Sequence, residues 1–380
     1  MNGLRASTIL LLSLPLTASV ARSQEPEDPV AAVGGGSWEI NAEVLRATDR
    51  GLAYLAKRQE SNGAWLGDVG FKVNSAYNVT KSDVTHVGVS ALAVMAFLAN
   101  GELPGKGKYG TVVEKAVDYL VSCANENGYI EKHGTRMYSH AFATLALAEV
   151  YGMTERKDVR AALQRSVDLI SQCQNREGGW RYKPFAQESD MSITVCQVMA
   201  LRAARNSGVF VPRNVIEDAV KYVRGSARGR SQRRFRPRYF PHRRGWRNDG
   251  VFRYQKRIDA RASFSLTAAG VTTLYGAGVY EDPLIDRGLD YLENNLADFN
   301  RNWESHYFFF YGNYYAVQAF FIAGGRRWDK YFREIREVLL DRQRNGGYWT
   351  CDTGPGREFA TAVAVLILSI PYRYLPIFQR

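Results

Sequence analysis

The sequence is short of the side chains that hold metals and cross-links: its 380 residues include four cysteines and five histidines. Four cysteines cannot staple a chain of this length into a disulfide framework. No CxxC pair occurs, and no Cys/His cluster has the spacing of zinc ligands, so no cofactor is expected. Long apolar runs are also missing beyond the first residues, and no later stretch is predicted to span a bilayer. The one apolar run follows Arg5, from Ile9 to Ala21, broken only by small residues and Pro15. It is short for a membrane span and reads as a signal peptide over residues 1–23, cleaved after Ala21 or Ser23. No cysteine follows it, which disfavours a lipid anchor. Residues 24–41, acidic and then Gly34-Gly35-Gly36, read as a flexible linker, so the mature protein is expected to be exported, periplasmic or secreted.

Acid is locally scarce too. The formal charge of +12 is concentrated between Arg224 and Arg261, where 14 Lys/Arg face 2 Asp/Glu; the remaining chain has 36 of each sign. Within this stretch, Arg233, Arg234, Arg236, Arg243 and Arg244 alternate with Phe235, Tyr239, Phe240, His242 and Trp246. Two readings stay open: a solvated loop, or a polyanion-binding surface for an acidic polysaccharide or anionic lipid. Export disfavours nucleic acid.

What is abundant is repetition. An amphipathic segment recurs six times, as Gly51–Leu55, Ala116–Leu120, Ser166–Ile170, Ala219–Val223, Gly288–Leu292 and, more weakly, Ile335–Leu339. The interval of roughly 50 to 70 residues suits two helices with generous connections. After each comes a more apolar segment: Val87–Leu98, Ala141–Val150, Thr194–Ala204, Thr267–Tyr275, Tyr315–Ile322 and Thr361–Ile370. Stripes on the first set and near-absence of charge on the second predict an outer helical ring around an inner one. An open solenoid would need a polar capping repeat, whereas the last segment here is among the most apolar. The expectation is all-α: an α/α toroid of about six helix-pair repeats, single domain, over residues 42–380, with residues 224–261 a loop inserted in repeat four. Cys123 and Cys173 fall at matching points of neighbouring repeats, so they are either buried thiols or a bridge; Cys196 and Cys351 have no such match.

Three turns share one pattern, Q-x-x-x-G-x-W: Gln59 to Trp65, Gln174 to Trp180 and Gln343 to Trp349, with degraded copies at Gly128-Tyr-Ile130 and Gly250-Val-Phe252. In these turns the sequence resembles the prenyltransferase/squalene-oxidase (squalene-hopene cyclase-like) repeat family. Ser265–Gly270, His306–Tyr311, Asn313–Gln318 and Leu375–Arg380 look like an exported bacterial subgroup of it. The resemblance covers essentially everything after Gly51 and implies the fold but no settled activity.

Squalene-type cyclases protonate an alkene with a carboxyl held in an Asp-x-Asp-Asp-Thr motif at the start of an inner helix. The matching stretch is Asp190-Met-Ser-Ile-Thr194, with Ser192 at the proton donor's position and Ile193 at that of the third acid. A hydroxyl cannot replace that acid. Asp83-Val-Thr-His-Val87 likewise has one carboxylate. Asp83 and Asp190 are therefore either displaced acids or helix N-caps. The prenyltransferase branch binds zinc through Asp-x-Cys, which is absent, as is a magnesium-binding Asp-rich motif; no metal site is expected.

Further polar residues stand at the starts of inner helices: His86, His140, Ser265, Thr267, Tyr311, Asn313, Tyr315 and Glu358. Asp190, Asp83, His140 and Glu358 are the catalytic candidates, with His140 or His306 as a base. His86, Ser192, Tyr311, Asn313, Tyr315 and His306 are the ligand-binding candidates, and each also reads as a cap or a satisfied core group. Three functions are consistent with this: a ligand-binding or scaffold toroid holding an apolar (isoprenoid-like) or polyanionic ligand, a terpenoid cyclase with a relocated acid, or an exported lyase or hydrolase acting on an acidic polysaccharide. The first is preferred, because the acid motif is broken and sugar-cleaving toroids do not usually carry Gln–Trp repeats.

Overall fold

The computed structural model describes residues 38–73, 76–154, 156–229, 250–301, 308–351 and 354–379. The stretch expected to be a signal peptide and nearly all of the expected linker, His306, and Arg233, Arg234, Arg236, Arg243 and Arg244 lie outside the described residues. Among the described residues twelve α-helices alternate as the sequence predicts. The outer ones are α1 (Ala42–Lys57), α3 (Gly110–Ser122), α5 (Lys157–Gln172), α7 (Arg213–Ser226), α9 (Pro283–Arg301) and α11 (Gly325–Arg342). The inner ones are α2 (Val87–Leu98), α4 (Arg136–Thr154), α6 (Met191–Asn206), α8 (Phe264–Gly276), α10 (Phe309–Ala323) and α12 (Arg357–Ser369).

The periodicity explains the layering. In α1 the buried residues are Val44, Ala47, Thr48, Gly51, Leu52 and Leu55, one stripe at three- and four-residue spacing. In α2 every residue is buried, as its lack of charge requires. Successive inner helices pack side by side, and α12 packs against both α10 and α2, so the inner ring closes; α1 packs on α11 and α12 outside it. Beyond α12 the tail crosses to α6, on the far side of the ring, and buries Leu375, Ile377 and Phe378.

The Gln–Trp turns brace neighbouring repeats. In each, the Gln side-chain amide donates to its own turn's Gly carbonyl and to a carbonyl of the next outer helix: Gln59 to Val112, Gln174 to Val215 and Gln343 to Ala47, each at 2.8 Å. The indole N–H of Trp65, Trp180 and Trp349 donates to the carbonyl ten residues earlier, on Leu55, Ile170 and Leu339. Gly178, at φ 89°, is required twice over, since a Cβ there would also lie 2.3 Å from the Asp218 carbonyl oxygen.

One element departs from the all-helical expectation. Between α1 and α2 runs an antiparallel hairpin, β1 (Leu66–Val73) and β2 (Ala76–Thr85). Its alternation of Val69, Phe71 and Val73 carried the strand signal in the sequence. Asp83 lies on β2, exposed and at φ 50°, so it is not the cap of α2; that cap is His86. Cys123, Cys173 and Cys196 are buried thiols without a disulfide, and Cys351 is half-buried. No described helix is long and apolar enough to cross a membrane.

Candidate functional site

The inner helices start at one end of the ring, and a single set of backbone needs accounts for much of their polar chemistry. The N-caps are His86 on α2, Asp190 on α6 and Ser263 on α8, each accepting from the amide three residues on. A turn later, a second polar side chain accepts a backbone N–H from the preceding connection: Ser90 from Trp65, His140 from Ile130, Thr194 from Trp180, Thr267 from Val251 and Thr361 from Trp349. His140 thus occupies the slot that Ser or Thr fills in other repeats. Burial lowers it to about 3, and His86 to about 4, so both rings are neutral.

The other candidates are dispersed. Glu358, in the first turn of α12, accepts from Tyr54 on α1 at 3.2 Å and from Nε of Arg58, the C-cap of α1, at 3.0 Å, and so faces the outer ring. Asn313 is fully buried against Asn300 and Tyr331 on the outer helices. Ser265 and Thr267 are buried on α8.

What comes together is centred on α10. Tyr311 and Tyr314 reach across the ring to α4, with ring centroids 6.4 Å from Tyr138 and 5.8 Å from Phe142. Tyr315 reaches α6, its hydroxyl 3.0 Å from the Cys196 thiol, and the Tyr311 hydroxyl lies 3.5 Å from the Ser192 carbonyl oxygen. The middle of the toroid is therefore crossed by aromatic side chains. Tyr138, Tyr182, Tyr254 and Tyr311 each keep part of their surface exposed, although almost every neighbour on the inner helices is buried, and together they form an aromatic mouth at this end. Tyr138 stands 6.1 Å from Tyr182, whose hydroxyl meets that of Tyr254 at 2.6 Å, and Phe308 lies 6.1 Å from Tyr311.

Asp190 lies fully buried beside this mouth. One carboxyl oxygen caps α6, while Oδ2 has no hydrogen-bond partner. Burial pushes its carboxyl up to about 7, against the pull of the Ile193 amide, of Arg181 and of the nearby Tyr254 hydroxyl. Burial likewise holds the hydroxyls of Tyr138, Tyr311 and Tyr315 protonated well above their usual range. Among the described residues no group of three or more His, Cys, Asp or Glu is placed to hold a metal ion.

Of the sequence candidates, Asp190, Ser192, Tyr311 and Tyr315 are brought together; Asp83, His86, His140, Asn313 and Glu358 are not among them. Tyr138, Tyr182 and Tyr254 were missed in the sequence. Each sits next to a recognisable turn, but nothing local marks three separated tyrosines as neighbours.

A model of the prenyltransferase alpha-alpha toroid domain matches residues 41–231. No curated protein matches the sequence. Among solved structures, a cellobiose 2-epimerase from Bacillus thermoamylovorans is similar at TM-score 0.59 and 14% identity, covering 88% of this chain and 100% of its own. A type II terpene cyclase from Scytonema, bound to geranylgeranyl dihydroxybenzoate, gives TM-score 0.54 and 11% identity, covering 88% and 98%. An α-1,6-mannanase of Salegentibacter, bound to α-1,6-mannotriose, gives TM-score 0.54 and 9% identity, covering 87% and 99%. At these identities the likeness is one of fold.

Proposed function

The chain belongs to the prenyltransferase α/α toroid family, and we propose that it uses this fold to bind a flat, largely apolar ligand rather than to run a cyclase reaction. The observation that carries this reading is Tyr311, which crosses from α10 to Tyr138 on α4 and to Ser192 on α6. A folded polyene would need the space these side chains fill, while the partly exposed tyrosines of the mouth offer an aromatic surface to a ligand entering from solvent. Ser192, at the position of the family's proton donor, cannot supply the acid. A lyase would need a tyrosine or histidine base, but burial keeps the Tyr311 hydroxyl protonated, and His140 is a weakened base whose Nδ1 already accepts the Ile130 amide. Action outside the cytoplasm, after loss of residues 1–23, is part of the same proposal and rests on the apolar run that follows Arg5.

Mass spectrometry of the purified protein after denaturing extraction, followed by titration with the molecule recovered, tests it. Tyr311→Ala with Tyr138→Ala is expected to weaken binding at least tenfold with the fold intact by circular dichroism. A ligand held equally well by the double variant would rule out this mouth.

A second reading rests on Asp190, whose unpartnered oxygen and raised carboxyl suit a proton donor. Cyclisation of squalene or another polyene by the protein, lost in Asp190→Asn, would replace the binding reading with this one. An acidic oligosaccharide in the same assays separates the glycan alternative, for which the sugar-bound neighbours offer the fold alone.

A further inference from the structure

Two guanidinium groups flank the tyrosine mouth with no carboxylate partner among the described ion pairs. Arg136, the first residue of α4, lies over Tyr182 at 5.9 Å and over Phe71 of the hairpin at 5.6 Å from the ring centroids. On the other side Arg261 lies over Tyr254 at 4.8 Å and over Phe308 at 5.7 Å. Since Tyr182 and Tyr254 touch through their hydroxyls, the two arginines bracket one continuous aromatic surface. A third, Arg181, lies over Tyr182 too but is neutralised by Glu188. Asp190 opposes them with a partial charge, because burial leaves its carboxyl partly protonated near neutral pH. The mouth is therefore apolar across its width and positive at its sides.

The backbone at Arg136 gives an independent sign. It adopts φ 64°, a left-handed conformation that disfavours side chains with a Cβ. Its helix start is pinned from both sides, by the Met137 amide donating to the Tyr182 carbonyl and the Gln197 amide donating to the Met137 carbonyl. Stability alone would favour glycine or asparagine at such a position. An arginine stands there with no acid paired to it among the described ion pairs, and what it faces is the aromatic surface.

Resting on the ligand-binding reading above, we propose that the ligand carries an oxyanion, a carboxylate or a phosphate monoester, held by Arg136, with Arg261 adding positive charge from the opposite rim, while its flat body stacks on Tyr182, Tyr254 and Tyr311. Arginine suits this role, because its planar fork stacks on a ring and still presents N–H groups to an oxyanion. The half-buried Arg136 is the stronger anchor; the exposed Arg261 adds charge at the rim.

Four probes with one body and different heads test it by calorimetric titration: 2-naphthoate, 2-naphthyl phosphate, 2-naphthol and 2-naphthylmethylammonium. The two oxyanions are expected to bind about tenfold or more tighter than naphthol, as one charge-assisted contact implies, and the ammonium weakest. Comparison of carboxylate with phosphate identifies which head the site prefers. Arg136→Ala and Arg261→Ala are each expected to weaken the oxyanions by up to about tenfold and to leave naphthol unchanged. Arg136→Gly provides a control for folding: it relieves the left-handed strain, so it should keep or raise the melting temperature while losing the oxyanion preference. Naphthol binding as tightly as naphthoate, or arginine variants that weaken both alike, would overturn the oxyanion assignment and leave the binding mouth standing. If none of the four probes binds, the mouth itself is not a ligand site and both proposals fail.

Discussion

At the scale of single residues, four buried acids and histidines among the described residues give the protein a distinct response to pH. Asp190 and Glu149 are acids raised by burial to about 7 and about 8, so the folded state keeps protons that the unfolded chain releases. Their contribution is favourable at low pH and is lost as pH rises through roughly 4 to 8. His86 and His140 are bases lowered by burial to about 4 and about 3, so their contribution is complete above roughly pH 6.5 and is lost as pH falls below it. Between about pH 4.5 and 6.5 the two acids and two histidines pull in opposite directions with similar slopes. The expected outcome is a flat maximum of melting temperature there, with decline on both sides. Asp190→Asn keeps the helix cap and removes one acid slope, so it should match the parent near pH 4 and exceed it by about 4 kcal/mol at pH 8. A parent that gains stability between pH 6.5 and 8 would contradict this account of Asp190.

At the scale of elements, the sequence was readable wherever one backbone need recurs. Gln–Gly–Trp repeats because each turn presents the same carbonyls to the same amide and indole, and only those side chains reach them. Where another side chain meets the need, the pattern fades: His140 accepts the Ile130 amide in repeat two, and it read as a candidate base because a lone histidine shows no kinship with Ser90 or Thr194. The hairpin went unread because a long turn was already expected there. The mouth was illegible for a different reason, since Tyr138 and Tyr311 come from two inner helices and Tyr182 and Tyr254 from two connections that only the folded ring brings together. Two glycines test the turn argument. Gly178→Ala meets the Asp218 carbonyl oxygen at 2.3 Å as well as backbone strain, whereas Gly208, at φ 86°, has nothing within 4 Å of a new Cβ. Chemical denaturation is expected to show about 1–2 kcal/mol lost for Gly208→Ala, from strain alone, and about 2 kcal/mol more for Gly178→Ala. Equal losses would mean that the close approach to α7 is unimportant.

At the scale of the whole molecule, the question is what makes the helical pairs a ring rather than a stack. The seam between the last and first repeats uses the same contact as the others, Gln343 to the Ala47 carbonyl, but joins residues 296 apart. Arg50 adds bonds back to the Arg344 and Asn345 carbonyls, and Trp38 packs against Phe332 beneath Arg333. In an open array each repeat leans on its neighbours alone, so a weakened end frays without disturbing the middle. Closure through the seam holds both ends to the stability of the centre. Gln343→Ala removes two hydrogen bonds, of 2.8 and 3.0 Å, and should cost about 1–3 kcal/mol, no more than Gln174→Ala, whose bonds are 2.8 and 2.9 Å. The two variants should differ in where that cost is felt. In native-state hydrogen exchange, Gln343→Ala is expected to speed amides of α1, α11 and α12 while those of α4 and α6 stay near parent rates. Gln174→Ala, inside the array, should leave α1 and α11 protected. Equal acceleration around the ring in the Gln343 variant would mean that the toroid opens as one cooperative unit, with no weakest seam.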